Sequence, residues 1–230
     1  MCFSAGASFA AGAVLSVIGV GSIRKAQSPS QVLFASIPLI FSVQQLSEGV
    51  LWLALQNSNL EPLAPLTTYI FLFFAQVLWP VWVPCSILLL EKRKRRRMIG
   101  KILVGIGILV SAYLTVCLVK FPPVAQIVGY HISYGQDFTI PFSRFGGLLY
   151  ALATIAPLFF SSVRRMWCLG LLIFISYIIS LVFYTDYIVS VLCFFAAIIS
   201  ISIYGIMLGV KKTNHHSKDQ EDKRSYLMPV

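Results

Sequence analysis

A single carboxylate inside a long apolar run is the feature of this sequence best placed to do chemistry. Glu48 lies within the hydrophobic stretch from Gln31 to Leu55, and an acid at membrane depth costs several kcal/mol unless it is paired, protonated or wetted. Gln44, Gln45 and Trp52 surround it at spacings of three and four, so Gln44, Glu48 and Trp52 fall on one helical stripe bordered by Gln45. At about 1.5 Å per residue, Glu48 lies roughly 10 Å from the end of that stretch and Gln44 near its middle. Such a stripe suits ligand binding or proton or ion coupling. A buried hydrogen-bonded or ion-paired group, with Arg144 or His131 as partner, is the structural alternative.

Other residues on the same side could converge with it. These are Gln76, His131, Tyr134, Asp137, Arg144, Tyr184, Asp186 and Tyr187. Together with Gln44, Gln45, Glu48 and Trp52 they would line an outward-opening polar pocket. His131 suits a proton carrier or metal ligand as well as a packing residue, and Arg144 suits a snorkelling cation at a helix end.

The elements that position these groups follow from composition. Hydrophobic residues make up 58% of the 230 and charged ones only 11%, against about 45 to 50% and about 25% in soluble domains. The apolar residues come in blocks near twenty long, the length that crosses a bilayer as a helix. The blocks predict an all-α integral membrane bundle of seven transmembrane helices at 4–23, 31–55, 66–90, 98–119, 143–162, 166–185 and 187–210, followed by a polar tail, 211–230, expected to be disordered. The first block is followed, not preceded, by Arg24 and Lys25, so it reads as a retained helix rather than a secretory signal. The segment from Lys120 to Phe142, with its prolines and glycines, reads as a long outer loop.

Loop charges orient this bundle. Arg24, Lys25, Lys92, Arg93, Lys94, Arg95, Arg96, Arg97, Lys101, Arg164, Arg165 and the tail cations fall on one side. Only Lys120 and Arg144 of the 18 Lys and Arg fall on the other. The positive-inside bias therefore predicts the N-terminus outside and the C-terminus cytoplasmic. The net charge of +10 is explained by topology, which argues against nucleic acid as a partner. The run Lys92 to Arg97 would contact anionic lipid headgroups, at about 1 kcal/mol per charge.

Further features read as architecture. Ser8, Gly12 and Ser16, and Gly147 with Ala151, have the spacing of close helix packing. Pro80 and Pro84 within the third block each remove a helical hydrogen bond. Cys2, Cys85, Cys117, Cys168 and Cys193 show no metal-ligand or disulfide spacing, and no cofactor is implied. Cys2 as an N-terminal thiol and His215-His216 in the tail are weaker chemical candidates.

Several of these segments together carry a family resemblance: Met1-Cys2-Phe3-Ser4-Ala5, Pro38-Leu39, Gln44-Gln45, Glu48-Gly49, Trp79-Pro80, Gly129-Tyr130-His131, Pro157 and the run Ser190 to Ala197. The chain resembles an uncharacterised family of small bacterial multipass membrane proteins whose members open with MCFSA. That resemblance implies a bacterial inner-membrane location and places Cys2, Glu48 and His131 in the family pattern. It implies no substrate.

Among functions, a retinal photoreceptor is disfavoured because 187–210 has no lysine for a Schiff base. A hydrolase resembling the alkaline ceramidases fits the helix count, but His131, Glu48 and Asp186 would make an incomplete metal site. A transporter or channel would use Glu48 as its coupling carboxylate. A receptor or sensor would use the same pocket to bind a small molecule or lipid, and this is the reading the sequence favours.

Overall fold

The computed structural model describes residues 4–136, 143–163, 165–183 and 198–209 and is mostly helical. Four helical stretches are long and apolar enough to cross a membrane: Ala5–Lys25, Pro29–Gln56, Glu61–Leu90 and Lys94–Lys120. Shorter apolar helices cover Gly146–Phe160, Met166–Ile179 and Ile198–Gly209.

Helix α1 (Ala5–Lys25) starts where the Ser4 hydroxyl accepts from the Ala7 amide and ends on Arg24 and Lys25, cations suited to the negative end of the helix dipole. It lies antiparallel against α3 (Ile37–Gln56). Gly19 meets the Leu39 backbone, the Ser16 and Ser42 hydroxyls bond at 2.6 Å, and Ser42 donates to the Gly12 carbonyl at 2.8 Å. A Cβ at Gly19 would stand 2.6 Å from the Leu39 nitrogen. The small-residue stripe expected on α1 is thus a backbone contact surface.

The second block is two helices, α2 (Pro29–Ala35) and α3, divided at Ser36. Pro38 has no N–H, so the Phe34 carbonyl loses its helical donor and the chain turns there. The neighbouring Leu33 carbonyl accepts from the Ser36 hydroxyl at 2.9 Å and from the Trp82 indole at 3.1 Å.

The third block is also interrupted. Helix α4 (Ala64–Leu72) passes through a π-helical stretch, Phe73–Leu78, into α5 (Trp79–Leu90). Pro80 explains the accommodation. The Trp79 amide reaches back to Phe74, and the Ala75 carbonyl, five residues before Pro80, has no amide to meet. The Tyr150 hydroxyl donates to it at 2.6 Å, and the Ser111 hydroxyl donates to the Val77 carbonyl at 2.8 Å. Side chains from two later helices satisfy the distorted backbone.

Helix α6 (Lys94–Lys120) begins earlier than the apolar block predicts and takes most of the basic run into its first turn. The segment after it, expected as an irregular loop, contains an antiparallel hairpin, β1 (Val124–Val128) and β2 (His131–Gly135), with Val128 opposite His131. Gly129 at φ 62° provides the left-handed residue its two-residue turn needs. Helices α7 (Ser143–Phe160), α8 (Met166–Phe183) and α9 (Ile198–Gly209) follow.

The main core joins Phe34, Ile37, Trp79, Ile87, Leu158, Met166, Leu169, Ile203 and Met207, tying α2, α3, α5, α7, α8 and α9 together. A second cluster of Leu51, Trp52 and Ile132 seats the hairpin on the end of α3. One end of the bundle therefore carries the hairpin, and the other carries most of the basic residues described.

Candidate functional site

The polar stripe of α3 is buried beneath the hairpin. Gln44, Gln45 and Glu48 are at most 1% exposed and Trp52 is 2% exposed. Gln45 Nε2 donates to Glu48 Oε2 at 2.9 Å, a bond between adjacent helical turns. The Tyr134 hydroxyl of β2 lies 3.4 Å from Glu48 Oε1, a long hydrogen bond from the hairpin to the acid. Deeper in the bundle, the Trp79 indole donates to Gln44 Oε1 at 2.9 Å while its ring stacks on Phe41. The stripe thus links the hairpin to the segment beside the π-helical stretch.

The hairpin is held by three kinds of contact. Ile132 is fully buried against Leu51 and Trp52. Tyr134 stacks on Phe71 of α4, with centroids 4.8 Å apart and the planes 10° from parallel. Gln76, within the π-helical stretch, donates through Nε2 to Gln136 Oε1 at 2.9 Å. His131 is half-buried at the start of β2, and burial pushes its imidazole below the ordinary value of 6.5.

Several buried polar atoms around this site make no hydrogen bond among the described residues: Ser8 Oγ, Trp52 Nε1, Gln76 Oε1 and Gln136 Nε2. The pairing of α1 with α3 runs through Phe9 beside Gly49 and Gly12 beside Leu46, which sets Ser8 level with Glu48 and Trp52. Leaving a buried donor or acceptor unpaired costs about 1 to 3 kcal/mol. The site therefore carries hydrogen-bonding capacity beyond what the described protein groups use.

Of the expected pocket residues, Gln44, Gln45, Glu48, Trp52 and Tyr134 gather in one region, and Gln76 reaches it through the hairpin's end. The side chain of Arg144 and all of Asp186 lie outside the described residues, as do Cys2, Asp137, Tyr184, Tyr187, Cys193 and the tail. The His131, Glu48 and Asp186 set of the hydrolase reading therefore lies partly outside the described residues; among those described, no three His, Cys, Asp or Glu side chains come together.

At the basic end, Lys92, Arg93, Lys94, Arg95 and Arg97 are exposed. Arg96 instead turns to the end of α7 and donates to the Ser161 carbonyl at 2.6 Å, where a cation opposes the helix dipole favourably. Sequence reasoning missed Glu91, the acid that opens the run. Glu91 is 5% exposed and accepts from the Arg93 amide, the Ser162 amide and the Ser162 hydroxyl at 2.7 to 2.9 Å. It ties the end of α5 to the end of α7.

Burial alone would raise the Glu91 carboxyl. The Arg93 and Ser162 hydrogen bonds and the Arg96 charge outweigh it and hold the group below its ordinary value of 4.5. A carboxyl lowered by folding contributes its full stability above the ordinary value and loses it as pH falls from 4.5 through the lowered one. Thermal unfolding in detergent should show a melting temperature that drops over that acid range. Glu91→Gln should melt lower at neutral pH and with a flatter acid limb; an equally steep limb in the variant would contradict the assignment.

No curated protein and no solved structure matches this chain. A family model does, over residues 1–219, taking in the α3 stripe, the π-helical stretch, the hairpin and the basic end alike. The chain therefore belongs to the family that this model describes, a family of unknown function (DUF6629).

Proposed function

We propose that the protein is a seven-span membrane receptor or sensor with its N-terminus outside, its 211–230 tail in the cytoplasm, and a binding site for a small polar molecule or lipid headgroup beneath the hairpin. Four membrane-length helices and three shorter apolar ones support the span count. The separation of the hairpin end from the basic end supports the orientation. The bacterial inner membrane is the location that fits the family resemblance.

The observation carrying the site is the Tyr134 contact to Glu48. A carboxylate buried in the C-terminal half of α3, the half proposed to lie outward, meets the Tyr134 side chain of a small hairpin. Beside it the Trp52 indole and Ser8 hydroxyl supply donors for an acceptor on the ligand. Displacing the hairpin would open this region outward, and the Glu48–Gln45 and Gln44–Trp79 bonds would carry the change toward α5. Native mass spectrometry of the purified protein tests the reading. A bound small molecule is expected in the wild type and lost in Glu48→Gln at an unchanged melting temperature; no adduct, or one that survives Glu48→Gln, would contradict it.

The interruptions in the second and third blocks favour transport as a second reading, since broken helices commonly flank transport sites. Glu48-dependent flux through proteoliposomes would select it over sensing.

A further inference from the structure

The basic end has a feature independent of Glu48. Along α6 the exposed positions fall on one side of the helix. Lys94, Arg97 and Lys101 lie on that side, and Met98, Ile102 and Leu109 continue it, with Leu109 72% exposed. The spacing of three and four keeps these residues within one helical stripe. Arg96 points the other way, to the Ser161 carbonyl. Helical geometry thus divides the cations at this end: Arg96 caps α7, Arg95 lies at the edge of the exposed side, and Lys94, Arg97 and Lys101 are set on a face that passes directly into apolar surface.

Those three cations stand where they repel one another. They share one face of the first two turns of a 27-residue helix whose opening turn contains no acid, at the positive end of the helix dipole. An anion on this face removes the mismatch. The apolar surface that continues the stripe selects the kind of anion, because a soluble phosphate gains nothing from Met98, Ile102 and Leu109, whereas acyl chains bury them. We infer that Lys94, Arg97 and Lys101 form a binding site for the headgroup of an anionic phospholipid of the cytoplasmic leaflet, its chains lying along α6.

This inference rests on the membrane placement proposed above and not on the ligand site under the hairpin. The test uses the full chain reconstituted in phosphatidylcholine nanodiscs with and without phosphatidylglycerol, with retained lipid counted by native mass spectrometry. Retained phosphatidylglycerol is expected, and affinity should fall roughly 100-fold in K94Q/R97Q/K101Q, about fivefold per cation. The triple K92Q/R93Q/R95Q removes the same charge from beside the stripe and should retain most of the binding. K101Q alone, with its smaller loss, serves if the first triple does not assemble.

Equal weakening by both triples would overturn the site in favour of diffuse attraction. Equal retention of phosphatidylcholine would overturn headgroup selectivity, and competition by inorganic phosphate as effective as by lipid would make this a soluble-anion site. Failure of the wild-type chain to insert would count against the membrane placement, and insertion without lipid preference would count against this inference alone.

Discussion

Gly107→Ala is expected to destabilise the protein by about 3 kcal/mol, at the upper end of what overpacking one site costs. Pro84 has no N–H, so the Pro80 carbonyl one turn earlier has no donor within α5. Gly107 of α6 sits against that carbonyl closely enough that a methyl at 107 would overlap the oxygen, with the Pro84 ring immediately beyond. A Cα–H of glycine is the group that fits there, and it offers the carbonyl a weak hydrogen bond. The obstacle is backbone rather than the end of a flexible side chain, so α5 and α6 must separate to admit the methyl. Thermal unfolding in detergent checks this against Gly105→Ala, where a Cβ meets nothing within 4 Å. Equal melting temperatures for the two variants would contradict the packing described.

Glu48→Leu is expected to cost a similar amount for a different reason. It removes the acceptor for Gln45 Nε2 and for the Tyr134 hydroxyl, and taking the acceptor out of a buried hydrogen bond costs about 1 to 3 kcal/mol. Glu48→Gln keeps the shape and one carbonyl oxygen, so it should fold and melt close to the wild type while losing the bound molecule. The contrast separates a ligand site from a structural one. If Glu48→Gln fails to assemble and Glu48→Leu combined with Arg144→Leu restores assembly, Glu48 is half of a structural ion pair and the binding reading falls.

Much of this arrangement is legible in the sequence because bilayer-length apolar blocks and helical spacing are local properties. The placement of Gln44, Glu48 and Trp52 on one stripe needs only the helical period, and all three are buried in the structure. The hairpin is less legible. Val124 to Val128 shows no clean alternation of apolar and polar residues, and its pairing with His131 to Gly135 depends on Ile132 finding Leu51 and Trp52 far back in the chain. Its turn signal, Gly129-Tyr130, is present but common to many loops.

The prolines of the third block announce lost hydrogen bonds without revealing what replaces them. The replacements come from Tyr150 and Ser111, on helices with no sequence proximity to the break. Glu91 is hidden for a related reason. An acid beside six basic residues reads as solvated charge, and its burial follows from Ser162, 71 residues later. What a short window can state about spacing survives folding, while what depends on a distant partner becomes visible only in the structure.

If Glu48 lies in a site reached from outside by displacing the hairpin, as proposed, carbodiimide labelling reports it. Sealed vesicles holding the protein in its native orientation are treated from outside with a membrane-impermeant carbodiimide and an amine, and modified carboxyls are located by mass spectrometry. Glu61, exposed at the hairpin end, reports reagent on the outer side, and Asp219, Glu221 and Asp222 of the tail proposed to be cytoplasmic report leakage. Rapid modification of Glu61 is expected, with slower modification of Glu48 that accelerates in Tyr134→Ala, and none of the tail acids. Glu48 that stays unmodified in both proteins while Glu61 reacts, or that reacts only when the reagent is inside, would contradict it.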